Sequence, residues 1–114
     1  MKVIIAGSRE GFTLEDVYVA VNASEFEITE VVSGGARGVD RLGEIFAKEQ
    51  DIPIRKFIPD WNTGKGAGFV RNREMGDYAD ALIALWDGQS RGTKQMIDYA
   101  KKKCLKIYIL GQEG

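Results

Sequence analysis

Short apolar runs rich in β-branched residues alternate along this chain with segments whose apolar positions recur at helical spacing. Val3, Ile4, Ile5 and Ala6 form an unbroken apolar run closed by Gly7, the pattern of a strand buried on both faces of a parallel sheet. Thr13 supplies a side-chain cap for a helix whose inner stripe is Leu14, Val17, Tyr18 and Val21. Glu30, Val31, Val32 and Ser33 predict a second strand that stops at Gly34 and Gly35. Val39, Leu42, Gly43 and Phe46 give the next helix its inner face. A third strand is expected over residues 54–58, after Pro53. Residues 59–68 combine glycine and asparagine without any period and read as a long loop, followed by a helix over residues 70–78. Residues 80–86 carry the strongest strand signal. Thr93, Met96, Ile97, Ala100 and Cys104 make the last helical stripe, with Cys104 expected as a packed core thiol, and residues 105–110 form a fifth strand.

The resulting order, β-α-β-α-β-α-β-α-β, implies right-handed crossovers and a parallel sheet with helices on both faces. The fold class expected is therefore α/β, a Rossmann-like three-layer α/β/α sandwich with a five-stranded parallel sheet in the order 3-2-1-4-5. In that order the chain leaves the first strand in one direction and later returns to its other side. Ligands bind outside the carboxyl ends of the strands at such a switch point. Residues 1–114 read as a single domain, without repeats, linkers or low-complexity segments.

Composition narrows the chemistry. The 16 basic and 17 acidic side chains give a formal net charge of -1, which argues against holding long nucleic acid by bulk electrostatics. The chain has no histidine, so histidine bases, histidine-activated nucleophiles and histidine-ligated metals are all excluded. With one cysteine it has no intrachain disulfide and no cysteine-rich zinc site; no metal site is expected. The amino-terminal apolar run is too short for a signal-peptide core and no segment is long enough to span a membrane, so a cytoplasmic protein is expected.

The residues that follow the strands are the ones suited to bind an anion. After the first strand stand Gly7, Ser8 and Arg9. After the second stand Ser33, Gly34, Gly35, Ala36, Arg37, Gly38, Val39 and Asp40, and after the fourth Trp86, Asp87, Gly88, Gln89, Ser90, Arg91, Gly92 and Thr93. All three loops belong at one edge of a parallel sheet, where glycine lets backbone N–H groups approach a ligand and each following helix points its positive end the same way. Every arginine except Arg55 lies in these loops or at a helix start (Arg9, Arg37, Arg41, Arg71, Arg73, Arg91). At a helix start an arginine opposes the helix dipole unless a bound anion compensates it. Polar, glycine-rich loops are also ordinary filler, but three of them converging is a stronger signal than one.

Other features weigh less. Lys101, Lys102, Lys103 and Lys106 read as a solvated helix end. Trp86 stands beside the expected site and suits either base stacking or core packing, whereas Trp61 lies in the long loop, where a lid over the pocket and a subunit contact are the two readings. Asp40 is either a reacting carboxylate or a first-turn acid that favours the helix dipole.

These residues resemble a known family. Gly7-Ser8-Arg9 and Ser33-Gly34-x-Ala36-x-Gly38-Val39-Asp40 are similar to the GSR and SGxAxGxD motifs of the Smf/DprA proteins. Arg71-Asn72-x-x-Met75 and Gly92-Thr93 resemble the RKxxM and GT elements of the LOG, or lysine-decarboxylase-like, phosphoribohydrolases. Both groups belong to the SLOG superfamily of Rossmann-like nucleotide binders, and the chain is most similar to its small single-domain YspA-like branch. The resemblance implies a nucleotide or nucleotide-derived phosphate ligand, homo-oligomerisation through helices flanking the pocket, and Arg71, Asp87 and Asp40 as the candidates for any catalysis. Two alternatives it also implies are N-glycosidase action on a nucleoside monophosphate and Smf-like binding of single-stranded DNA. The chain departs from the LOG pattern where that pattern has a catalytic glutamate, since Gln95 or Met96 stands there, and Asn72 replaces the motif lysine. A neutral side chain cannot activate water as a base.

Overall fold

A computed structural model describes residues 1–111. Strand β1 (Lys2–Gly7) is followed by helix α1 (Leu14–Ser24), β2 (Glu30–Ser33), α2 (Val39–Glu49), β3 (Ile54–Lys56), α3 (Ala67–Tyr78), β4 (Ala81–Trp86), α4 (Arg91–Lys102) and β5 (Lys106–Gly111). The strands form one sheet in the order β3-β2-β1-β4-β5, all neighbours parallel. Among the described residues no helix is long and apolar enough to cross a membrane.

The sheet separates two apolar cores. Val3, Ile5, Val31, Ile83 and Leu85 face α1 and α2, while Ile4, Val32, Leu82 and Ala84 face α3 and α4. Alternate residues of β1 and β4 therefore serve opposite layers, which is why both runs are apolar without interruption. Thr13 caps α1 reciprocally with Asp16: the Asp16 N–H donates to Thr13 Oγ1 (3.2 Å) and the Thr13 N–H to Asp16 Oδ2 (2.9 Å).

Strands β4 and β5 each begin one residue later than expected, and three features differ by more. Helix α3 begins at Ala67, earlier than residue 70, because the Gly64 and Gly66 carbonyls accept the N–H groups of Ala67, Phe69 and Val70. Glycines carry no side chain to register a helical period. Strand β3 ends at Lys56, two residues short of expectation, since its partner β2 ends at Ser33, whose carbonyl accepts the Phe57 N–H (2.8 Å) as the last rung. Cys104 is not a core thiol. It is exposed at φ 59°, in the left-handed turn that closes α4, with its N–H donating to the Lys101 carbonyl (3.1 Å). The long loop also contains one 3-10 turn, Trp61–Thr63, capped by Asp60.

Helix α2 lies close on β1 because Gly43 has no side chain. A Cβ there would stand 2.8 Å from Ile5 Cγ2 and 2.9 Å from Ile5 Cβ, and Ile5 is fully buried. Helix propensity alone favours Gly43→Ala by about 1 kcal/mol, whereas overpacking a core costs about 1–3 kcal/mol. We expect net destabilisation, read as a lower urea midpoint at unchanged slope; a raised midpoint would mean that α2 can back away from β1.

Candidate functional site

The carboxyl ends of β1, β2 and β4 meet at one edge of the sheet, and the chain is tied there by Ser8. Its N–H donates to the Leu85 carbonyl (3.0 Å), its carbonyl accepts the Val39 N–H (3.2 Å), and its buried Oγ accepts the Asp87 N–H (3.0 Å). One residue thus joins the ends of β1 and β4 to the start of α2. Gly38, at φ 84°, serves as the N-terminal residue flanking α2, and a side chain there would strike the Ser8 and Arg9 backbone.

Between these ends and the first turns of α3 and α4 lies a cavity of about 240 Å³. Of the residues singled out in the sequence, Gly7, Arg9, Ala36, Asp40, Arg71, Asn72, Ser90, Gly92 and Thr93 line it. Ala6, Met75 and Met96 complete the wall with apolar surface. Sequence reasoning does not name them as site residues: Met96 falls on a helical stripe and reads as core, and Met75 enters only as the last residue of the Arg71-Asn72-x-x-Met75 motif. The signal was there for Met96, which follows Gly92-Thr93 at a fixed offset.

The remaining candidates do other work. The Ser33 hydroxyl donates to Glu44 Oε2 (2.7 Å) and accepts the Gly35 N–H (3.1 Å), so that amide is engaged within the loop and is not offered to a ligand. Gly35 itself takes φ 72°. Val39 is core, and Arg37 and Gly88 are exposed. Trp86 packs against the α3/α4 core and donates Nε1–H to the Ser90 carbonyl (3.1 Å). Asp87 Oδ1 accepts the N–H groups of Gln89 and Ser90, both at 2.8 Å, and these donors hold its carboxyl below the ordinary range. Asp87 shapes the loop before α4 and does not line the cavity.

Arg71 is the centre of the site. Its Nε donates to Asn72 Oδ1 (2.9 Å) and its Nη1 to the Gly34 carbonyl. A Cβ on Gly34 would lie 2.6 Å from Arg71 Nη1 and 2.8 Å from Asp40 Oδ2, so glycine is what allows the guanidinium and the carboxylate to approach. Asn72 is buried and spans to α4: Nδ2 donates to the Gly92 carbonyl (3.1 Å) and to Gln95 Oε1 (2.8 Å). The amide pair Asn72–Gln95 thus fixes α3 against the start of α4 without charge. Burial lowers the Arg71 pKa, and the nearby Asp40 charge works against that.

Asp40 is 5% exposed, and its Oδ2 accepts the Ala36 N–H (3.2 Å). Burial raises its pKa from the ordinary 3.8 to about 6, with Glu44 adding to the rise and the Ala36 and Gly7 N–H groups and Arg71 opposing it. Glu44, one turn further along α2, is also buried and pairs with Lys56 Nζ at 3.1 Å. Sequence reasoning missed Glu44, although its spacing from Asp40 puts both on one helix face.

The first turn of α4 completes the wall. Ser90 Oγ caps it, accepting the Thr93 N–H (3.5 Å) and contacting Thr93 Oγ1 (3.1 Å), while the N–H groups of the first residues have no partner within the helix. A larger, open groove of about 390 Å³ on the outer face of α3 and α4 is lined by Phe69, Arg91, Lys94, Gln95, Asp98, Tyr99 and Lys102. Most of its polar groups are engaged: Lys94 with Asp98 (2.9 Å), Gln95 with Asn72, and Tyr99 with Asp77 (2.7 Å). It lies away from the strand ends, so the smaller cavity is the candidate site. Among the described residues no group of three or more acidic or cysteine side chains could hold a metal ion.

The YAcAr family model, described as the YspA, cpYpsA-related SLOG family, matches residues 1–64. No curated protein matches the chain. An X-ray structure of DNA processing protein A (DprA) from Streptococcus pneumoniae is similar at a TM-score of 0.80 and 18% identity, covering 98% of this chain and 50% of that one. The chain thus spans half the length of that protein, and at this identity the likeness is one of fold.

The raised Asp40 pKa has a stability consequence of definite sign. Between pH 3.8 and about 6 the folded chain holds a proton that the unfolded chain has lost, so stability falls as pH rises through this window and is level above it. Asp40→Asn keeps an oxygen for the Ala36 N–H and removes the titration. It should abolish that slope and stabilise the protein at pH 7 by on the order of 2–3 kcal/mol. Urea unfolding of both proteins from pH 4 to 7 measures this; identical profiles would show that Asp40 titrates normally.

Proposed function

The chain belongs to the YspA, cpYpsA-related SLOG family, and we propose that it is a binding module for a nucleotide or a nucleotide-derived phosphate ligand. The observation that carries this reading is the cavity at the switch point between β1 and β4, where the open first turn of α4 faces two arginines, Arg9 and Arg71. A helix amino terminus offers free N–H groups and positive potential, and arginine adds a forked donor suited to phosphate. Phosphate takes the Ser90–Thr93 turn with Arg71 beside it. Asp40, neutral or ionised near pH 6, is suited to bond a sugar hydroxyl. Ala6, Met75 and Met96 supply the apolar surface that small-molecule pockets ordinarily have.

The test is calorimetry of nucleoside monophosphates against their nucleosides. The monophosphates should bind more tightly, and Arg71→Ala should remove most of the difference, roughly ten- to hundredfold for one charge-assisted bond to phosphate. Arg71 also packs beside Asp40, so Arg9→Ala, at an exposed position, provides a variant with little effect on folding and a smaller loss of the same kind. Equal affinity for nucleotide and nucleoside would sink the reading.

A second reading, cleavage of the base–ribose bond of a nucleoside monophosphate, is favoured by one observation, a buried carboxyl in the cavity with a pKa of about 6. Against it, the GT element is followed by Gln95, bonded to Asn72, and by Met96 in the cavity wall, with no acid at either position. Chromatography after incubation with nucleoside monophosphates should show slow release of free base or none. Rapid release abolished by Asp40→Asn would make the enzyme reading the better one.

A further inference from the structure

Trp61 is 63% exposed, though it sits on a turn built to hold it: Asp60 Oδ1 accepts the Asn62 N–H (3.1 Å) and the Asp60 carbonyl accepts Thr63 Oγ1–H (2.7 Å). The indole therefore presents a flat apolar face outward from the turn. Its neighbour is Gly68, in the first turn of α3. A Cβ on Gly68 would lie 3.6 Å from Trp61 Cη2 and 3.9 Å from Arg71 Nη2, both ordinary contacts, so indole and guanidinium border the same space that Gly68 leaves open. Ile58, 65% exposed, lies over Gly35 on the adjoining loop. Arg71 meanwhile lines the cavity. That cavity, at about 240 Å³, is below the roughly 300–1,000 Å³ of pockets that enclose a whole drug-sized ligand. A ligand of that size therefore extends past the rim of the cavity.

We infer that Trp61 is the base-stacking residue of this site: the flat ring of a nucleotide lies against the indole in the space above Gly68, with Arg71 Nη2 at its edge. This rests on the phosphate-binding reading above. Stacking on one aromatic face is sequence-tolerant, because every base has a π-face, so the residue sets a preference for nucleotides over plain sugar phosphates and not for one base.

The experiment titrates ribose 5-phosphate and the four common nucleoside monophosphates into the wild type and into Trp61→Phe, Trp61→Ala and Gly68→Leu, by calorimetry and by tryptophan fluorescence. The monophosphates should bind roughly tenfold more tightly than ribose 5-phosphate and quench the emission. Trp61→Ala should lose that advantage and Trp61→Phe keep most of it. Gly68→Leu, which fills the space at an unstrained helical position, should lose it while folding at least as well. A monophosphate advantage that survives both Trp61→Ala and Gly68→Leu, or no advantage in the wild type while ribose 5-phosphate binds, overturns the stacking role and leaves the phosphate site standing. Failure of every phosphate compound to bind overturns both. Emission that shifts with protein concentration alone would make Trp61 a contact with a second copy of the chain, which also overturns it.

Discussion

The parallel pairing of β1 with β4 is the constraint on which the rest of the structure depends. Val3 to Gly7 stand opposite Ala81 to Leu85, although nearly eighty residues of chain separate them. Once these two strands lie side by side, β2 and β3 must extend the sheet in one direction and β5 in the other. The crossover helices then divide between the two faces, and the loops after β1 and β4 diverge from one point. A crevice opens there because no chain passes directly between them. Close backbone contact maintains the geometry: a side chain on Gly7 would collide with the Leu85 carbonyl, and Ser8 bonds across the same junction.

Polar groups buried at that edge are arranged so that each has a partner; among the described residues no buried side-chain nitrogen or oxygen lacks one. Ser33 joins Glu44 to the Gly35 amide, Asp40 holds the Ala36 amide, and Arg71 and Asn72 carry the network to α4. An unpaired group in such a place costs about 1–3 kcal/mol, so losing one member is felt by its neighbours. Asp40 is the tense member. Its burial works against its charge, and the amides and the guanidinium around it only partly offset that. A carboxyl in this condition exchanges its proton near neutrality, which lets it face either a hydroxyl or an arginine. The charge balance of the cavity, two arginines against one such acid, favours an anionic occupant.

Neutral side chains mark the other half of the site. Asn72 and Gln95 bond one another between α3 and α4, and Met96 turns an apolar side chain toward the cavity. An amide pair gives fixed geometry without a base or a strong local field.

The sequence by itself determined the order of elements and the identity of the central strands, because period two, period 3.6 and unbroken apolar runs are local signals of what a segment buries. It also placed Gly7, Asp40 and Gly92 near one another, since the ends of parallel strands share an edge, while Arg71 was added by the resemblance to the RKxxM element. Tertiary structure decided the rest. Whether Asp87 faces the cavity or folds back on the amides of Gln89 and Ser90 depends on competing partners, and the near ones won. Trp86 packed against the α3/α4 core with its indole N–H on the Ser90 carbonyl; Cys104 became exposed because α4 ended two residues before its stripe did. Glu44, Met75 and Met96 take their places around the site only when α2, α3 and α4 are set against the sheet. A local pattern reports how much of a side chain is buried, but not which neighbours bury it, and the site is made of those neighbours.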